Sequence, residues 1–217
     1  MKKILFTIFT IFFSNLLLFA EKQIDFTLSF TPTLIVNTDK PQNSAPSPVV
    51  YPISLGLVFP DNNFISFQPR LSFFTNYYLW NKKGAYPAEI ENRTATAFSF
   101  LLDLPAAFTF KPKEKHMFNL TAGPSLLIRF ATLSNGVNED DPGYNGNTAS
   151  EDLSKINDYF WKDANFLYLE TSFDYLYKIT EKISFGPEVR FYMPLGQIFS
   201  GNGLNASMLS WGIKARF

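Results

Sequence analysis

Cysteine is absent and histidine occurs once in the 217 residues. The first absence excludes disulfides, thiol nucleophiles, cysteine-ligated zinc or iron–sulfur centres, and a lipid anchor on a cysteine. The second leaves His116 alone, which argues against a histidine metal site or a Ser-His-Asp relay. Net charge is missing too: Lys+Arg and Asp+Glu both number 19, so there is no bulk positive field to draw nucleic acid. Charge as a whole is scarce, 18% of residues against roughly 25% in soluble domains. There is no Gly-rich phosphate loop, and beyond residue 20 no apolar run approaches the length of a membrane-spanning helix. Aromatic residues, by contrast, abound: 25 phenylalanines stand in a chain that is 18% aromatic.

Met1-Lys2-Lys3 is a short basic start, and Ile4 to Phe19 is an almost unbroken apolar stretch ending at Ala20, a small residue before Glu21. That layout predicts a secretory signal peptide over 1–20. As a retained anchor the stretch would fall short, since sixteen helical residues reach only about 24 Å across a ~30 Å hydrocarbon core. Residues 21–217 then form one domain, and a membrane crossing by that domain has to use strands.

Period-2 alternation fills the domain. Residues 24–36 set Ile24, Phe26, Leu28, Phe30 and Leu34 against Asp25, Thr27, Ser29, Thr31 and Thr33. The same texture returns over 50–59, 63–80, 94–110, 117–131, 164–178, 183–193 and 206–217, which predicts eight strands. Their connections sort by length. Those at 37–49, 81–93, 132–163 and 194–205 are longer, and those at 60–62, 111–116 and 179–182 are short. Long loops at one end and short turns at the other describe an antiparallel up-and-down transmembrane β-barrel with its turns, and both termini, on the periplasmic side.

Alternation alone does not say which face is outside. A soluble lipocalin-type barrel would turn its polar stripe to water and should carry lysine and glutamate there. Here the polar stripes are mainly Ser, Thr, Gly, Ala and Asn, small enough to fill a narrow interior. Lys214 is the one lysine well inside a stripe. The Phe, Leu, Ile and Tyr stripes are too bulky to share an eight-stranded lumen, so they face lipid. Tyr77, Tyr78, Trp80, Phe130 and Trp161 gather at the loop side, and Phe59, Phe110, Phe118, Tyr175, Tyr177, Phe185 and Phe217 at the turn side, as aromatic girdles do.

The last strand alternates through Leu209, Trp211, Ile213 and Ala215 to Phe217. This ending resembles that of bacterial outer-membrane barrels, and the eight-strand pattern is similar to the small-barrel group that includes the OmpA membrane domain, OmpX and OmpW. The resemblance implies an outer-membrane location and a monomer held among outer-membrane lipids. It also implies that Trp211, Ile213 and Phe217 belong to a signal read by the barrel-assembly machinery.

Charges on the inward stripes are the most informative polar residues: Arg70, Arg129, Arg190, Arg216 and Lys214 against Asp103, Glu170, Asp174 and Glu188. Unpaired charges are expensive in so narrow a lumen, which implies a paired network. Levels counted from the turns predict Arg70 with Asp103, Glu170 with Arg190, Lys214 with Glu188 or Asp174, and Asp25 with Arg216. Such a network either plugs the lumen or gates a narrow pathway, and an eight-stranded interior, just filled by side chains, favours the plug.

The 132–163 connection carries seven acidic residues against Lys155 and Lys162. Its Asn138–Gly143 stretch lacks the spacing of a calcium loop, so an acidic, solvated loop is expected, with a short helix over Thr148–Tyr159. No cofactor and no metal is expected. Enzyme chemistry is disfavoured, because His116 lies in a turn beside Lys115 and every acid on the inward stripes has a basic partner available. The function expected is structural, membrane integrity with surface contacts to host or neighbouring cells through the long loops. The alternative is a narrow channel for ions or small solutes, apolar ones among them, as an OmpW-like member would imply.

Overall fold

The computed structural model of the chain describes residues 24–36, 48–59, 65–81, 84–88, 95–201 and 203–217. The expected signal peptide, most of the 37–49 connection and the 60–62 turn lie outside the described residues. Thirteen strand pieces make a single antiparallel sheet: β1 (Asp25–Phe30), β2 (Thr33–Ile35), β3 (Val49–Val50), β4 (Ile53–Val58), β5 (Ile65–Phe67), β6 (Arg70–Asn81), β7 (Gly84–Ala88), β8 (Ala95–Asp103), β9 (Ala106–Lys113), β10 (His116–Leu133), β11 (Leu167–Lys178), β12 (Ser184–Pro194) and β13 (Met208–Arg216). They assemble into eight staves, because proline divides four of them. Pro32 parts β1 from β2, Pro52 parts β3 from β4, Pro69 parts β5 from β6, and Pro105 parts β8 from β9. A proline cannot donate to the ladder, yet its carbonyl still accepts. Thr31 N–H donates to Pro52 at 3.3 Å, Leu57 to Pro69 at 2.9 Å, Gln68 to Pro105 at 3.0 Å and Trp211 to Pro32 at 3.0 Å.

Each stave pairs with the next in chain order, and the first closes on the last, with Thr27 opposite Arg216 and Phe30 opposite Ile213. At the seam Phe26 and Phe217 exchange N–H···O bonds of 3.2 and 2.9 Å. One piece departs from the expected plan. β7 lies within the 81–93 connection and folds back on the loop end of β6, Tyr77 opposite Ala88 and Trp80 opposite Ala85. At its start, Gly84 brings its backbone against the ring of Tyr159.

The alternation resolves into two faces of opposite chemistry. Outward Leu55, Phe26 and Leu120 are 65%, 60% and 60% exposed, while inward Ser54, Ser72 and Ser99 are at most 1% exposed. Polar residues inside and a continuous apolar belt outside invert the arrangement of a water-soluble protein, so the medium around the belt is lipid. Among the described residues no helix is long and apolar enough to cross a membrane; the strands make the crossing.

Among the described residues two α-helices lie at the loop end, α1 (Ala149–Trp161) and α2 (Leu195–Phe199). α1 starts in a capping box. The Thr148 hydroxyl accepts from Glu151 N–H at 3.2 Å, and the Glu151 carboxylate accepts from Thr148 N–H at 2.9 Å. Acidic Glu151 and Asp152 in the first turn suit the positive end of the helix dipole.

Candidate functional site: the barrel lumen

The lumen is built in layers, starting at the turn end. Arg216 donates to Asp25 from Nε at 2.8 Å and lies 2.7 Å from it through Nη2, a half-buried pair at the rim. One level up, Lys214 Nζ stands 3.0 Å from Asp174 and 3.7 Å from Glu188, and Asn119 donates to Asp174 at 2.6 Å. Both partners anticipated for Lys214 are therefore in reach. His116, at the start of β10, shares a 2.9 Å hydrogen bond with the Tyr175 hydroxyl.

Arg70 is the hub of the next layer. Its Nε donates to Asp103 at 2.9 Å, Nη1 to Glu188 at 3.0 Å and Nη2 to Glu170 at 3.0 Å. Asp103 also accepts from Ser125 at 2.6 Å and from the Tyr192 hydroxyl at 3.0 Å, and Thr121 donates to Glu170 at 3.2 Å. The register explains the first contact, since Arg70 lies directly opposite Asp103. It also overturns the expected Glu170–Arg190 pair. Glu170 lies opposite Tyr192, and Arg190 lies opposite Ser172. Arg70 reaches across the narrow lumen to take Glu170, while Arg190 closes on Glu188, its neighbour on the same inward stripe, at 2.6 Å. Arg190 also donates across the lumen to Ser54 at 3.1 Å.

Above the charges lies an apolar layer that the periodicity did not announce: Ile35, Val50, Phe74, Leu101, Leu127, Tyr168, Tyr192 and Met208. The signal was available in the doublets Phe73-Phe74, Leu101-Leu102 and Leu126-Leu127, which put a bulky residue on each face of a stave. Tyr78, assigned to the outer girdle with Tyr77, likewise points inward and is 3% exposed. Phe59, expected in the turn-side girdle, is covered at 6.0 Å by the ring of Phe67.

α1 packs into the loop end of the barrel. Ile156 and Phe160, one turn apart, pack against Tyr78, Ala85, Ala95, Ala97 and Ala131. Alanines on β8 and β10 leave the width that a helix needs. Asn157 fastens α1 to the wall, accepting from Ala131 N–H at 2.8 Å and donating to Ala131 O at 3.1 Å. The 132–163 connection is therefore only partly the solvated loop expected of its acids. Asp152 is buried and accepts from Tyr144 N–H and Asn147 Nδ2, both at 2.6 Å.

Arg129 is inward, as its stripe predicts, but it does not join the ion network. The apolar layer separates them, and its guanidinium instead donates to the Tyr78 hydroxyl at 3.0 Å and to Asn165 O at 2.9 Å, with the Phe160 ring 4.3 Å away. On the outside of the last stave Trp211, Ile213 and Phe217 stand 46%, 47% and 49% exposed in the apolar belt.

No family model matches the chain and no curated protein is similar to it in sequence. Solved structures do share its backbone path. Neisserial surface protein A superposes with a TM-score of 0.55 at 10% identity, over 89% of this chain and 95% of its own. The attachment invasion locus protein Ail of Yersinia pestis gives 0.45 at 6% identity over 89% and 97%, and the outer-membrane enzyme PagL gives 0.43 at 12% over 89% and 98%. By fold, the chain is a closed eight-stranded antiparallel barrel of the small outer-membrane type.

Proposed function

We propose that this is a non-enzymatic outer-membrane barrel with a sealed lumen, acting in membrane integrity and, through its loop end, in contacts at the cell surface. The observation that carries this reading is the stacking of three closures along one axis: the ion network around Arg70, the apolar layer around Phe74 and Met208, and α1 in the mouth. A water file would have to breach each in turn. The inward charges Arg70, Asp103, Glu170, Asp174, Glu188, Arg190 and Lys214 act as a structural plug. In this reading both termini are periplasmic, and Trp211, Ile213 and Phe217 are exposed for the barrel-assembly machinery before lipid covers them. The test is planar-bilayer conductance of the refolded mature chain, with folding verified by heat-modifiable gel migration. Folded, inserted protein is expected to be electrically silent, whereas reproducible discrete openings would replace the sealed barrel with the narrow channel.

A further inference from the structure

We propose that the cavity between the apolar layer and α1 binds a small monovalent anion on the guanidinium of Arg129. Arg129 is 6% exposed. A guanidinium has five N–H donors, and here two hydrogen bonds are made, both to uncharged acceptors, the Tyr78 hydroxyl and Asn165 O. Its buried Nε has no partner. Every other cation of the lumen has a carboxylate: Arg70 has Asp103, Arg190 has Glu188, Lys214 has Asp174 and Arg216 has Asp25. Among the described residues Arg129 has none. Burying a cation without a counter-charge is costly, and hydroxyl, carbonyl and π-face contacts offset only part of it.

The same side chain lines a cavity with Phe74, Leu127, Tyr168, Asn165 and Gln197. The enclosed space accommodates only one or two water-sized groups. That size selects a halide or formate over a long-chain acid. A single cation among otherwise uncharged walls selects one negative charge, since a second would be left buried and unpaired.

The experiment uses the refolded barrel in detergent micelles. Its thermal midpoint is read by heat-modifiable migration, and 35Cl linewidth is read in parallel. At equal ionic strength, chloride is expected to raise the midpoint over gluconate, which is too large to enter. Chloride resonance broadens with the wild-type chain, formate competes that broadening away, and Arg129→Gln loses both effects. Leu127→Phe, which fills the cavity and keeps the cation, loses them as well, so the test holds if Arg129→Gln does not fold. Formate acting where chloride does not would make the ligand a short carboxylate. Equal midpoints in all three salts, or broadening retained when the cavity is filled, would overturn the site.

Discussion

Arg70 sends its three guanidinium nitrogens to three carboxylates on three different staves, at 2.9 to 3.0 Å. Removing it would leave Asp103, Glu170 and Glu188, each no more than 1% exposed, without their shared cation. Breaking a buried ion cluster from one side costs about 3–5 kcal/mol. Arg70→Met is accordingly expected to lower the unfolding free energy by that amount in urea titrations of the vesicle-inserted barrel followed by tryptophan fluorescence. The rim pair makes the contrast. Asp25 and Arg216 side chains are 27% and 16% exposed, so Asp25→Asn is expected to cost under about 1 kcal/mol and to matter less still in high salt. If the two substitutions cost the same, the hub is not the anchor described above. Arg70–Asp103 was legible in the sequence because partners on adjacent staves follow from counting out of a turn. The two carboxylates held by Arg70 across the lumen, Glu170 and Glu188, were not, because those contacts depend on barrel width and side-chain length rather than on separation along the chain.

At the scale of elements, the staves read plainly from alternation, while their interruptions and the fate of the longest loop did not. Period-2 counting passes through proline unnoticed, yet Pro32, Pro52, Pro69 and Pro105 each end one ladder and begin another. Glycines serve a neighbouring purpose at Gly186 and Gly212. A Cβ on the first would collide with Tyr175 O, and on the second with Phe30 O on the adjacent stave. Both glycines stand on an inward stripe where the neighbouring backbone comes close. Gly186→Ala is expected to destabilise the barrel by about 1–3 kcal/mol through forced backbone shifts, visible as a lower midpoint in heat-modifiable migration; an unchanged midpoint would show that the wall yields there. A short helix over Thr148–Tyr159 was expected from the sequence, but not the packing of α1 into the barrel's loop end. Its Ile156 and Phe160 find their place only because Ala95, Ala97 and Ala131 converge opposite them from staves distant in sequence. Thr148→Ala removes half of the capping box and should cost about 1 kcal/mol. The loss should fall on α1 alone, as faster hydrogen exchange over 149–161 with the barrel midpoint unmoved.

For the whole molecule, the arrangement of charge explains why the lumen is layered. The network holds Arg70, Arg190 and Lys214 against Asp103, Glu170, Asp174 and Glu188. It is thus one cation short, and the remaining inward arginine, Arg129, sits outside it, beyond the apolar layer under α1. In the sealed barrel proposed above, closure would then not depend on any single element. This leads to an expectation that distinguishes a sealed barrel from a gated one. Replacing 149–161 with a Gly/Ser linker of equal length takes away the stopper and its Asn157 bonds to Ala131, but it leaves Phe74, Leu101, Leu127 and Met208 packed across the lumen above an intact ion network. The linker variant should therefore insert, migrate as a folded barrel and stay silent in planar bilayers. Adding Phe74→Ala opens the apolar layer, and adding Arg70→Ala removes the hub, so conductance is expected only when the closures are lost together. Openings from the linker variant alone would mean that α1 is the gate and that the two lower layers pass ions.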